Sequence, residues 1–268
     1  MENNFAIPQL PLVKDTVCSF WQVQRSNNLP LNETIVPKGV IEIIFIFDTR
    51  IISAELNKQP LDIPRCFIQG FHTYPVQLHI TGSQTFFGVV LRPAAVQHIL
   101  HCHPSQFTNR IIDLTLIDNS FYSLWHCLGE QSDFNSRVTI FTEWLLKRLP
   151  LLTDREKAFN IFLKTHSDIH LEVSGLASRL CYSTKQLSRK LYELTGLNTE
   201  QILRYKKYLH AVYLMHYSEL SLTEIAYSCQ FSDQSHFIKT FKLLSQLTPK
   251  EYRLNKSSII GHIFENVY

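Results

Sequence analysis

Two stretches of this sequence carry polar and basic side chains at spacings suited to reading a polyanion. The first holds Lys185, Gln186, Ser188 and Arg189, flanked by Ser183 and Lys190. The second holds Gln234, Ser235, His236 and Lys239, followed by Lys242 and Thr248. In each, apolar residues recur at i, i+4 and i+7: Leu187, Leu191, Leu194 and then Phe237, Phe241, Leu244. A helix with that pattern buries one face and presents the polar residues on the other. Donors near the N-terminus of an exposed helix are what base-edge reading in a major groove requires. A third concentration of reactive groups is His98, His101, Cys102 and His103, which could offer transition-metal ligands from a helix. Pro104 ends that helix, and histidines near its negative pole are accounted for without a metal. No metal or cofactor is expected. The sequence has no G-x-S-x-G elbow, no G-x-x-x-x-G-K-[ST] loop and no H-E-x-x-H pair, so no enzyme is expected either.

The two polar stretches belong to an internal repeat. Leu176–Leu191 and Ile225–Phe241 align with Ala177 answering to Ala226, Leu187 to Phe237, Arg189 to Lys239 and Leu191 to Phe241, and the second copy has one more residue in its turn. Each reads as a short helix, a tight turn and a longer helix, the helix-turn-helix plan. Ser183-x-x-Gln186 and Ser221-x-x-Glu224 have capping-box spacing. Thr199–Tyr217 reads as one helix joining the copies, anchored by Ile202, Leu209, Val212 and Leu214. Thr248-Pro249-Lys250-Glu251 starts a last short helix, with proline in its first turn. Two copies with basic outer faces and a rigid connector point to double-stranded DNA as the partner.

Charge is distributed in the same sense. The net charge of the 268 residues is +3, yet Arg155–Lys256 holds 15 Lys/Arg against 9 Asp/Glu, and the remainder 11 against 14. A mildly acidic N-terminal part is thus joined to a basic C-terminal part, the balance expected for a polyanion partner. Hydrophobic residues at 45% and charged residues at 18% exclude global disorder. No apolar run reaches the roughly 18 residues of a membrane span. Six scattered cysteines without C-x-x-C spacing suit reduced thiols, and Met1-Glu2-Asn3-Asn4 lacks the regions of a signal peptide, so a cytoplasmic protein is expected.

The N-terminal part reads as strand-rich. Val40–Phe47, Ile51–Leu56, Arg65–Gln69, Val76–Ile80 and Phe86–Leu91 follow at short intervals, suggesting a small barrel or sandwich. Helices are expected after Pro93, over Asn119–Gly129 and over Ser136–Leu149, the last with a stripe of Val138, Phe141, Leu145 and Leu149 that serves as core or as a dimer face. The break at 149–154 divides the chain into residues 1–154, 155–256 and a tail, 257–268. The fold class is α+β.

The C-terminal part resembles the AraC/XylS family of bacterial transcription regulators over about 155–253. The most specific match runs from Ile225-Ala226 through Phe231-Ser232-Asp233-Gln234-Ser235-His236-Phe237-Ile238-Lys239-Thr240-Phe241-Lys242 to Thr248-Pro249-Lys250-Glu251-Tyr252-Arg253. The resemblance implies two recognition helices in successive major grooves, with Ser183, Lys190, Lys242 and Thr248 as phosphate contacts. A promoter is then the DNA partner and RNA polymerase a further one. A small-molecule effector and a homodimer stay open. Gln230 and Gln246 stand where the family usually has glycine, and Lys239 where it has arginine. Phe20-Trp21, Val36-Pro37-Lys38-Gly39, Phe67-Ile68-Gln69-Gly70 and Gly88–Ala95 resemble an uncharacterised domain that precedes this unit in many regulators. That resemblance implies a cupin-like β-barrel with sensing and dimerisation roles. Two alternatives remain. One is a DNA-repair methyltransferase sharing the helix-turn-helix unit, although Cys102 lacks the Pro-Cys-His-Arg context. The other is an interaction module whose DNA unit no longer binds.

Overall fold

The computed structural model describes residues 2–26, 29–47, 52–149, 151–164 and 173–266. Ile51, Pro150, residues 165–172 and the tail residues Val267 and Tyr268, all within segments read from the sequence, lie outside these. In chain order the elements begin with β1 (Glu2–Ala6), α1 (Pro11–Lys14), β2 (Val17–Arg25), β3 (Leu31–Ile35), β4 (Ile41–Ile46) and β5 (Ile52–Leu56). There follow β6 (Gln59–Leu61), β7 (Cys66–Gln69), β8 (Val76–Ile80), β9 (Gln84–Leu91), α2 (Pro93–Leu100), β10 (Ile111–Asp113), α3 (Ser120–Gly129) and α4 (Phe134–Leu146). The chain continues through α5 (Asp154–Lys164), α6 (Val173–Arg179), α7 (Thr184–Thr195), α8 (Thr199–Tyr217), α9 (Leu222–Ser228), α10 (Gln234–Ser245) and α11 (Pro249–Asn255) to β11 (His262–Asn266).

The strands form two antiparallel sheets, ordered β1-β2-β9-β4-β7-β10 and β11-β3-β8-β5-β6. The sheet-rich N-terminal domain is thus two sheets rather than one closed cylinder. β4 is buried along its whole length, as its β-branched run requires. Ile43 and Phe45 join the main core, while Ile44 and Ile46 point to the opposite face and cluster with Phe67, Trp21 and Phe86. On the core face Phe141 of α4 packs edge-on against Phe20, Phe45 and Phe87, with ring centroids 6.0, 6.1 and 6.5 Å apart. Gly88 has no side chain because the Trp21 indole occupies the space a Cβ would need.

Two features depart from the sequence reading. The helix expected over 136–149 begins earlier because Asp133 caps it, accepting from the Ser136 N–H, and it ends at Leu146. Of the two readings left open for its stripe, core or dimer face, the burial of Phe141 and Leu145 fits the core. The segment after Lys256, to which the sequence assigned no element, turns back at Gly261 and forms β11, pairing with β3 from His262↔Ile35 to Asn266↔Leu31. The last strand of the chain therefore belongs to a sheet built from its first hundred residues.

Helices α5 to α11 pack on the N-terminal domain as well as on one another. The Asn160 side chain of α5 accepts from the Ala94 N–H of α2. On α8 the Tyr205 hydroxyl donates to the His72 carbonyl at 2.8 Å and accepts from the Gly39 N–H at 3.0 Å. Among the described residues no helix is long and apolar enough to cross a membrane.

Candidate nucleic-acid interface

The two helix-turn-helix units repeat at the level of single hydrogen bonds. Behind α6 the Tyr182 N–H reaches the Ala177 carbonyl at 2.9 Å, and behind α9 the Phe231 N–H reaches the Ala226 carbonyl at 3.0 Å. These are the six-to-one bonds of a helix C-cap, and each needs one residue in the left-handed region. Cys181 (φ 53°) and Gln230 (φ 56°) supply it. The extra residue of the second turn is Ser232, so α7 is capped by Ser183 and α10 by Asp233. From there the copies run in step at an offset of fifty positions. Both α7 and α10 have 12 residues and end on a left-handed cap, Gly196 (φ 68°) and Gln246 (φ 60°). The next helices, α8 and α11, start with capping boxes, Asn198/Gln201 and Thr248/Glu251.

The apolar stripes are buried as the spacing requires: Leu187, Leu191 and Leu194 under α7, Phe237, Phe241 and Leu244 under α10. On the outer face of α7, Lys185 and Arg189 are exposed, and Arg189 lies 3.8 Å from Glu193 with 77% of its side chain accessible. Lys190 is half-buried and pairs with the same carboxylate at 3.3 Å. Gln186 is committed elsewhere: its side chain accepts from the Ser183 N–H at 2.9 Å and from the Ser183 hydroxyl at 3.0 Å, closing the capping box. The Ser188 hydroxyl accepts from Thr199 at 2.9 Å, which ties α7 to the start of α8.

The outer face of α10 is more open. Gln234, Ser235, His236 and Lys239 are all exposed. His236 Nδ1 lies 3.1 Å from the Ser232 hydroxyl, and its ring stands edge-on to Phe231 at 5.5 Å. Lys242 is exposed on the same helix; Thr248 is half-buried and caps α11. The exposed carboxyls Asp233 and Glu251 are held below their ordinary pKa by the His236 and Thr248 backbone N–H groups, respectively.

Two residues that the sequence reading did not assign to the site position the second unit. The Lys207 ammonium of α8 donates to the Gln230 carbonyl at 2.6 Å and sits 5.8 Å from the Phe231 ring centre, pinning the α9–α10 turn. Tyr252 of α11, fully buried, packs on Phe241 of α10 at 5.6 Å and on His216 of α8 at 5.8 Å. Both hold α10 against α8 from outside the two recognition helices, so a search along the outer faces of those helices passes over them. Tyr208 of α8 packs on Phe241 at 5.0 Å with the rings tilted by 54°.

The histidine–cysteine cluster is not brought together as a metal site. His98 pairs with Glu156 at 2.8 Å, His101 is the left-handed cap of α2, and no group of three or more His, Cys, Asp or Glu able to hold a metal occurs among the described residues. The thiols of Cys66, Cys102 and Cys229 are pushed up by burial, away from the thiolate that a transfer reaction needs.

Comparison with known proteins matches two segments. Residues 176–255 match the family described as "Helix-turn-helix domain", and residues 6–113 match a "Domain of unknown function (DUF6597)". The HTH-type transcriptional activator RhaS of Escherichia coli O1:K1 / APEC is 29% identical over 99 residues, 37% of this chain and 36% of that protein. The chain therefore matches little more than a third of the length of the curated relatives. The C-terminal domain of the two-component response regulator yesN from Fusobacterium nucleatum is 32% identical, covering 37% of this chain and 96% of that one, with a TM-score of 0.32. ToxT from Vibrio cholerae O395 is 13% identical with a TM-score of 0.50, covering 87% of this chain and 97% of that one, a likeness of fold.

Proposed function

We propose that the whole chain is a sequence-specific transcription regulator of the AraC/XylS type, on the premise that residues 176–255 match a helix-turn-helix domain family. The observation that carries the reading is the pair of equal-length helices, α7 and α10, repeated at one offset with buried apolar stripes and exposed polar faces. Lys185 and Arg189 read one major groove, with Ser188 shared with Thr199 and Gln186 serving mainly as a cap. Gln234, Ser235, His236 and Lys239 read the next. Ser183, Lys190, Lys242 and Thr248 contact phosphates, which fix position without specifying sequence.

The DNA partner is a promoter, and RNA polymerase is engaged once the protein is bound. The N-terminal domain (1–154) senses a small molecule or mediates dimerisation, while 155–256 binds DNA in the cytoplasm. Self-association does not run through the α4 stripe, because Phe141 and Leu145 are spent on the protein's own core. The protein binds rather than catalyses, and Cys102, the cysteine weighed for alkyl transfer, precedes His103-Pro104 instead of standing in a Pro-Cys-His-Arg context.

Selection of bound fragments from pooled random duplex DNA with the full-length protein tests the reading. The expected outcome is one asymmetric site with two read blocks about 10 base pairs apart. Failure of any sequence to enrich would overturn it and favour the interaction module.

A further inference from the structure

The DNA-binding unit is attached to the N-terminal domain at both ends. At the first end, Thr108 donates to the Thr195 carbonyl at the C-terminus of α7 at 2.8 Å, and its side chain fills the space where Gly196 would carry a Cβ. At the second end stands β11, the edge strand of its sheet, whose one strand partner among the described residues is β3. An edge strand can leave without breaking any other ladder.

The contacts of β11 connect two remote parts of the molecule. On the sheet side, His262 Nδ1 lies 2.5 Å from Glu33, and its other ring nitrogen lies 3.4 Å from the Lys38 ammonium. Lys38 is shared, because it also stands 3.2 Å from the buried carboxylate of Glu42. Glu42 in turn accepts from Gln69 at 2.8 Å and from the Trp21 indole at 3.1 Å, among the side chains of the N-terminal domain. On the helical side, the Gly261 N–H donates to the Tyr252 hydroxyl at 3.1 Å, and that hydroxyl lies 2.8 Å from His216 Nε2 of α8. Tyr252 is the residue that packs on Phe241 of the second recognition helix. A continuous chain of contacts thus runs from Glu42 through Lys38, His262 and the β11 backbone to Tyr252 and α10.

We propose that β11 is a latch that fixes the second helix-turn-helix on the N-terminal domain, and that Lys38, shared between Glu42 and His262, couples the interior of that domain to it. This rests on the DNA-binding reading given above. The reading faces of α7 and α10 are exposed with the latch closed, so the closed state is the binding-competent one. Closing it removes, before DNA arrives, the freedom the second unit would otherwise lose on binding. With the latch open, α11 loses the Gly261–Tyr252 bond to the N-terminal sheet, and a change around Glu42 that draws Lys38 away from His262 loosens the hold.

The test compares the full chain with a version ending at Ser258 and with Glu33→Gln and Lys38→Met, in which the strand is kept. Affinity is measured by fluorescence anisotropy on a duplex from the random-DNA selection, and amide hydrogen exchange is followed across the chain. Truncation is expected to weaken binding about tenfold and to speed exchange in α10 and α11 more than in α7. The point variants are expected to do the same about threefold, with faster exchange in residues 262–265. Truncated protein that keeps its helical circular dichroism, affinity and α10 exchange would overturn the latch. If the truncated chain does not fold, point variants whose β11 exchange rises while affinity and α10 exchange stay fixed would overturn it. Should the full chain bind no duplex, the DNA reading fails instead, and the exchange of α10 alone still decides whether β11 restrains it.

Discussion

The two helix-turn-helix units share their backbone plan but differ in how each is held. The first is buttressed from outside: its recognition helix ends on Thr108 of the N-terminal domain, and its stripe is aliphatic. The second is centred on an aromatic cluster of Phe231, Phe237, Phe241, Tyr208 and Tyr252, and its outside hold is the bond of Tyr252 to Gly261 ahead of β11. The caps differ too. The first unit uses neutral Gln186 and Gln201, whereas the second uses carboxylates at Glu224, Asp233 and Glu251. The same turn geometry can therefore be stabilised by a neighbouring domain or by self-packing, and each choice leaves its own vulnerability.

The largest expected effect comes from emptying the aromatic cluster. Phe241→Ala should destabilise the chain by about 3–5 kcal/mol, measured by denaturant unfolding. Leu191→Ala in the first unit should cost about 2–5 kcal/mol and also expose the α7 contact with Thr108. If Phe241→Ala proved nearly neutral, the second unit would not be self-supporting as described.

Binding should separate the two units next. Arg189 can offer a planar fork, which Lys239 lacks. Arg189→Ala should cost about 1–3 kcal/mol on the selected duplex and relax preference at one base pair. Lys242→Ala, at a phosphate contact of the second unit, should weaken binding on all duplexes alike and flatten the salt slope by about one unit. Anisotropy titrations at several salt concentrations check both, and a uniform loss for Arg189→Ala would assign it to the backbone.

A smaller contrast lies at the matched left-handed caps. Gln246 holds a side chain at φ 60° where the first unit has Gly196. Gln246→Gly should stabilise by about 1 kcal/mol, because a non-glycine residue in that region costs about 1–2 kcal/mol. Gly196→Ala should instead destabilise, since the new Cβ would lie 2.3 Å from the Thr108 hydroxyl oxygen. Thermal unfolding of the two variants gives the signs, and equal signs would erase the distinction.

The mildest contrast is in pH. The side chain and backbone N–H of Ser221 lower the Glu224 carboxyl, and the Thr248 backbone N–H and hydroxyl lower that of Glu251; the His236 N–H lowers Asp233. Carboxyls with depressed folded-state values stabilise fully above the ordinary carboxylate range and lose that contribution as pH falls through the lowered value. Between about pH 5 and pH 3 the ends of α9, α10 and α11 should therefore fray while those of α7 and α8 hold. Amide exchange across that range would show it, and equal fraying would break the contrast.

Much of this arrangement was legible in the sequence, for physical reasons. Thr199–Tyr217 coincides with α8 because its two ends carry explicit signals, a cap at Asn198 and a break at Ser218. β4 stood out because a β-branched run buried on both faces has few other readings. β1, β2 and β11 did not, because Glu2–Ala6, Val17–Arg25 and His262–Asn266 mix polar and apolar residues without a clean period. Their strand character comes from partners remote in sequence. Gln186 shows a subtler limit: it satisfied both the capping-box spacing and the reading-face spacing, and only its bond to Ser183 decides which role takes its side-chain oxygen. Tyr252 and Lys207 position the site through contacts that spacing alone does not encode.

The pairing of β11 with β3 also bears on the order in which the molecule is completed. His262 and Glu33 meet across 229 positions of a 268-residue chain. During synthesis, at about 5–20 residues per second, the edge of β3 waits unpaired until the whole helical region has been made. The five-stranded sheet is therefore finished last although its first strand is made early, and ribosome-bound chains ending before Gly261 expose an open strand edge that the finished protein covers.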